Sequence, residues 1–249
     1  MEALTRRDVR GIVRLSLATG AGNPINADML EAFDDHLSEL EVAPPRALII
    51  DGGNGKLFCG GFDVKSILAY SRAEMLRFFR SFCSVLARLT ALPCPTIAEI
   101  KSHAIAGGFI VPLACDFRVV DDGDFKLGAG EVDLGVPVPA GAQVLLAART
   151  NRAVASRLVM FASMLSPREA HEIGYANILA ETGGQGTAQE YAETLAGKPG
   201  TGLRATKRFM ALDLADQVRA ADARHEEEFI DTWFSPAAQA KLLELAETL

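Results

Sequence analysis

Apolar and polar positions along this chain switch between a strand-like and a helix-like period, and the switches mark its elements. Residues 9–17 are rich in β-branched and apolar side chains and predict a strand, which "TGAGNPIN" breaks. Asp28 then offers a helix N-cap, with Leu30, Phe33, Leu37 and Leu40 on one face of the helix that follows. "RALIID" at 46–51 is a short apolar run between Pro45 and Gly52, which predicts a buried strand. "GGNGKLFCGG" reads as a loop. Over 71–92, Met75, Phe78, Phe79, Phe82, Leu86 and Leu89 recur at helical spacing, and Pro93 and Pro95 end that helix. "TIAEIKS" at 96–102 predicts a strand. Gly107 and Gly108 open an apolar helix reaching Cys115, and "FRVVDD" at 117–122 predicts another strand.

Strand and helix repeating in this order imply parallel βαβ units in an α/β protein with both sheet faces covered. Residues 144–165 and 167–174 read as helical, and "TGGQG" at 182–186 and "GKPGTG" at 197–202 as flexible punctuation. The segment 203–249 predicts helix with an apolar stripe of Phe209, Leu212, Phe229 and Trp233. It is too small to bury much alone, so it should pack on the core or on another subunit. The expected division is a core over 1–195 and a C-terminal helical region over 196–249.

Composition narrows the class. Hydrophobic residues at 49% and charged residues at 23% suit a soluble globular protein. A net charge of −7 argues against a nucleic-acid partner, because it leaves little to neutralise a phosphate backbone. Cys59, Cys83, Cys94 and Cys115 have no CxxC spacing and sit in apolar surroundings, as buried reduced thiols do. His36, His103, His171 and His225 make no ligand set, so no metal is expected. "MEALTRRDVR" lacks the apolar run of a signal peptide. No apolar segment approaches the ~20 residues of a membrane helix, which leaves a cytoplasmic protein as the expectation.

Familiar motifs fail one by one. Gly53-Asn54-Gly55 begins a dinucleotide fingerprint, but the sixth position is Phe58. Gly55-Lys56 is followed by Leu57, so there is no Walker A loop, and GxSxG is absent. What remains is two glycine pairs, in "FCGGFDV" and "AIAGGFIVPLACD". Glycine lets a strand-to-helix junction turn sharply and leaves amide N–H groups pointing outward. Two such junctions can aim two donors at one oxygen, or each pair can simply permit close packing.

"FCGGFDV" resembles the "F-S-A-G-x-D-L" stretch of the crotonase (enoyl-CoA hydratase/isomerase) superfamily. "AIAGGFIVPLACDFRVV" is similar to its "G-G-G-x-x-L-A-x-x-C-D-x-R-I" stretch, "NPINADMLEAF" to "N-A-L-N-x-x-M-L", and "SPREAHEIGYAN" to "x-A-x-E-A-x-x-x-G-L-V". The four segments occur in the family's order over 9–177, and "ATKRFM" near the C-terminus also fits. The resemblance implies the crotonase (ClpP-like) spiral fold, in which repeated ββα units build two sheets. It also implies C-terminal helices that mediate a homotrimer or a dimer of trimers.

Carried over, the backbone N–H groups of Phe62 and Gly107 would hold the thioester oxygen of an acyl-coenzyme A as it becomes an enolate. No separate cofactor is implied, because coenzyme A belongs to the substrate. Hydratases of the superfamily carry two glutamates, and the position of the first is Ile110 here. The second matches Glu131 in "GEVDLGV", as in the Δ3,Δ2-enoyl-CoA isomerases, although Gly130 replaces their usual Asn. One carboxylate suffices to move a double bond from the 3- to the 2-position. Isomerase is therefore the first reading. A weak hydratase or an acyl-CoA-binding homologue without efficient turnover are the alternatives. Gly61, Asp63, Lys65, Gly108, Ile110 and Lys207 are the accompanying candidates for substrate binding. Asp63 can instead cap the helix after it and Asp116 can tie a strand end to a loop, while Lys56, Lys65 and Lys207 can be ordinary surface lysines. His103 has no role in the family's chemistry.

Overall fold

The computed structural model describes residues 2–181 and 186–248. The chain opens with a hairpin where one strand was expected. β1 (Leu4–Val9) and β2 (Ile12–Leu17) are joined by Arg10 and Gly11 at φ 53° and 78°. Two successive positive φ angles make the tight turn that suits the twist of paired strands. α1 (Ala27–Val42) is capped by Asn26, whose side chain accepts from Met29 N at 3.0 Å. Asp28 lies inside the first turn instead, where its charge meets the positive end of the helix.

β3 (Ala47–Asp51) and the short α2 (Val64–Ile67) lead to α3 (Arg72–Ala91), which starts with a reciprocal capping box between Ser71 and Glu74. β4 (Thr96–Ile100) and β5 (Ala104–Ile105) precede α4 (Gly107–Ile110). The predicted helix to Cys115 tightens into a 3-10 turn over Val111–Ala114, where Pro112 has no N–H to continue the α pattern. β6 (Phe117–Asp121) and β7 (Leu127–Gly128) follow, then a 3-10 turn over Glu131–Leu134.

The expected helix over 144–165 is two, α5 (Ala140–Arg149) and α6 (Arg152–Met160). Asn151 divides them by accepting from Val154 N at 3.0 Å. α7 (Pro167–Glu172) stands as predicted, whereas β8 (Ile178–Ala180) and α8 (Thr187–Ala196) carry too short a pattern to stand out. Of the "TGGQG" loop, residues 182–185 lie outside the described residues. "GKPGTG" is only partly loop, because α9 (Gly200–Trp233) begins inside it behind Pro199. α10 (Pro236–Thr248) ends the fold.

Six strands form one sheet in the order β1-β2-β3-β4-β6-β8, parallel except for the opening hairpin. β5 and β7 form a second, parallel pair. Isolated bridges widen it: Cys59 with Ala104, Ile25 with Phe62, and Leu127 with Leu165. This second layer gathers the two glycine segments into neighbouring positions. Val218, Phe229, Ile230, Trp233, Ala238 and Leu242 of the C-terminal helices belong to the same apolar cluster as β2, β3 and α3. The predicted stripe splits along α9. Phe229 and Trp233 are buried against the core, whereas Phe209 and Leu212 are exposed. No helix among the described residues is long and apolar enough to cross a membrane.

Candidate active site

The loop before Phe62 is shaped by a buried side chain. Asn23 donates from Nδ2 to the carbonyl oxygens of Gly52, Leu57 and Phe58 at 2.8–3.1 Å. One amide thus satisfies three carbonyls of a loop that has no ladder of its own. The chain then reaches Gly61 at φ +94°, a conformation that favours glycine. Gly61 O accepts from Ile25 N at 2.8 Å, and Asp63 N donates to Ile25 O at 2.9 Å. Phe62 N–H, between them, donates to no group among the described residues. The Phe62 ring is held edge-on by Phe78 and Phe82, each 4.9 Å away between centroids.

The second glycine segment meets the first directly. A Cβ on Gly61 would stand 3.3 Å from Gly107 N and 2.8 Å from Ala106 Cβ. A Cβ on Gly108 would overlap the Cys59 carbonyl oxygen. Both glycines are therefore needed for the approach of the two chains. Ala106 takes φ 52° and ψ −122°, a strained conformation for a residue with a Cβ. It is locked by its N–H on Gly128 O at 2.8 Å and by its carbonyl, which accepts from Phe109 N and Ile110 N. The strained residue turns the next peptide so that Gly107 N–H, at the helix start, has no acceptor among the described residues. Ala106 stands where the family pattern has the first of three glycines, and that substitution is the one sequence signal of its unusual backbone.

A cavity of about 420 Å³ opens beside these amides. Phe62, Gly107, Ile110, Gly130 and Glu131 all line it. Its other walls are almost wholly apolar, including Val64, Leu134, Val136, Phe229, Trp233 and Leu242. Glu131 is partly accessible as a residue, yet its Oε2 is buried and has no hydrogen-bond partner among the described residues. Burial in this apolar wall pushes the Glu131 carboxyl up to about 7. Gly130 leaves room for Met164, whose Cε would lie 3.1 Å from a Cβ there. The thioether fills the space beside the carboxylate's neighbour. Asp133, two residues on, also lines the cavity from its exposed rim.

The remaining candidates lie elsewhere. Gly61 and Gly108 serve backbone packing. Asp63 caps α2, accepting from Ser66 N at 3.4 Å and from Ser66 Oγ at 2.6 Å. Lys56 and Lys65 are exposed. Lys207 is only 6% exposed and pairs with Asp116 at 2.5 Å, so the structure does not bring it to the cavity. Asp116 also accepts from Thr96 N and Oγ1, which ties β4 to the segment before β6. His103 Nδ1 accepts from Lys126 N at 3.1 Å, away from the cavity. Among the described residues no cluster of His, Cys, Asp or Glu could hold a metal ion.

The enoyl-CoA hydratase/isomerase family model matches residues 8–244. The chain belongs to this family. It is 32% identical over 178 residues to an enoyl-CoA isomerase/hydratase, fer4, of Mycosarcoma maydis, covering 71% of this chain and 64% of that protein. It is 30% identical over 192 residues to a putative enoyl-CoA hydratase of Thermus thermophilus, covering 76% and 75% of the two chains. The structure of human mitochondrial delta3-delta2-enoyl-CoA isomerase superposes with a TM-score of 0.92 at 20% identity, over 99% of this chain and 97% of that one. The architecture is the crotonase fold.

Proposed function

We propose that this protein is an acyl-CoA isomerase that moves the double bond of a 3-enoyl-CoA to the 2-position. The observation that carries the reading is one buried, unpartnered carboxylate oxygen in an apolar cavity shared with two adjacent amide donors. The thioester oxygen would accept from Phe62 N–H and Gly107 N–H. Glu131 would take a proton from C2, and the negative charge would spread over the dienolate to that oxygen. The same carboxyl would then return the proton at C4, so one group moves one proton and no water is consumed. A carboxyl near 7 suits a base that must both take and return a proton near neutral pH. Ile110, 1% exposed, keeps the adjoining wall dry and so strengthens the electrostatics of the donors. Each amide donor typically supplies roughly 3–4 kcal/mol of transition-state stabilisation.

Asp133 favours a second reading, because it brings another carboxylate to the cavity and could hold water for hydration of a 2-enoyl-CoA. One comparison separates the two. A 3-enoyl-CoA and a 2-enoyl-CoA are supplied separately, and the conjugated thioester is followed in the ultraviolet. The isomerase reading expects formation from the first and little loss from the second. Hydration dominating with the 2-enoyl substrate, and abolished by Asp133→Asn, would replace it. Binding of both with no turnover of either would leave an acyl-CoA-binding protein.

A further inference from the structure

Two cavities of this protein meet at a shared lining residue, Phe229. The acyl cavity described above is lined by Val136, Pro139 and Phe229. A second cavity of about 760 Å³, bounded by α5, α6 and α9, is lined by Pro137, Val138, Ala140 and the same Phe229. Residues 136–140 thus face the two spaces in turn. Among the described residues, Phe229 is the one that lines both. Its ring is 4% exposed, stacked on Phe79 at 3.9 Å between centroids and on Trp233 at 6.5 Å. Its neighbours on both sides are aromatic and buried, so it has little freedom to swing aside.

Resting on the acyl-CoA reading of the site, we infer that Phe229 is the specificity-determining residue that limits acyl length, and that the site takes linear, unsubstituted acyl chains of medium length. Apart from Glu131, the exposed Asp133 and the indole of Trp233, every side chain lining the cavity among the described residues is apolar. Its 420 Å³ holds on the order of 14 groups the size of a water molecule, at ~30 Å³ each, and a methylene is of similar size. The thioester and the adjoining atoms of the carrier take several of these places, which leaves roughly eight to ten acyl carbons. Within that length each methylene adds buried apolar area and raises affinity about fourfold. Beyond it the chain meets the Phe229–Trp233 wall. Shortening the side chain at 229 joins the two spaces and lets a longer chain through.

Saturated acyl-CoAs from four to sixteen carbons, which bind without reacting, are titrated calorimetrically into the parent, Phe229→Ala and Phe229→Leu. In the parent, affinity should climb with length to about ten carbons and then fall. Both variants should extend the climb by at least two carbons and leave the four-carbon affinity within twofold. Phe229→Leu retains an apolar side chain, so it keeps the comparison open if the alanine variant fails to fold. An unchanged length profile in the leucine variant overturns the inference, as does a parent profile that is flat with length. Turnover of a four-carbon 3-enoyl-CoA is measured alongside. If binding tracks length as described while that substrate is not isomerised, the isomerase reading falls and the length limit stands.

Discussion

Replacing Glu131 by Gln keeps the shape of the side chain and removes its charge, so it separates catalysis from stability. In an unfolded chain this carboxyl titrates at its ordinary value of 4.5, and in the fold burial moves it to about 7. Below 4.5 the group is protonated in both states and costs nothing. Between 4.5 and 7 the unfolded chain ionises first, which draws the equilibrium toward unfolding. Above 7 the penalty is complete. At about 1.4 kcal/mol per pH unit it amounts to at most about 3 kcal/mol. Gln escapes this penalty. The variant should gain little stability over the parent at pH 4 and up to about 3 kcal/mol at pH 8, or roughly 6–12 °C in melting temperature for a chain of this size. Its turnover of a 3-enoyl-CoA should fall by ~10²–10⁴-fold, the usual loss for a positioned acid–base group. In the parent, kcat/KM should rise with pH through about 7 and level off, because the base works ionised. Paired thermal melts at the two pH values and a pH–rate profile test all three. A variant no more stable than the parent at pH 8, or equally stabilised at both pH values, would refute burial as the cause.

Ala106→Gly relieves a backbone held at φ 52° and should raise stability by about 1 kcal/mol, the strain of ~1–3 kcal/mol less the entropy a glycine adds to the unfolded chain. Chemical denaturation measures it, and a destabilised variant would show that the position carries no strain. Lys207→Met leaves Asp116 partly buried without its cation and should lower stability by roughly 3 kcal/mol. Its KM for an acyl-CoA should be unchanged, and a large rise would place Lys207 in substrate binding. Gly108→Ala forces a methyl into the Cys59 carbonyl oxygen, so it should abolish soluble expression or lower the melting temperature by more than ~10 °C. A variant that melts like the parent would remove the close approach of the two glycine segments.

Elements whose signal is local are legible in the sequence. α3 shows this best: its apolar face, its Ser71 start and its proline stop all lie within one stretch of chain, and the helix observed is the helix predicted. The pairing of the two glycine segments was legible as a resemblance, and so were Glu131 and Ile110. Features decided by a few dihedral angles were not. Arg10 and Gly11 turn the chain inside an apolar run, and Asn26 takes the cap that Asp28 offered by spacing. Lys207 reads as a surface cation in a string of residues, and only the packing of α9 against Asp116 buries it.

The sequence by itself determined the fold and set the two glycine segments and Glu131 in the family's order, because short-range patterns and family spacing encode them. Only the tertiary structure decided how the site is enclosed. Phe229 and Trp233 reach the cavity from a helix far along the chain, and Ala106 adopts its strained angle because bonds from Gly128, Phe109 and Ile110 converge on it. Burial raises Glu131 through walls drawn from many separate segments. Desolvation and strain are properties of what surrounds a group in space, and neighbours in sequence supply little of either.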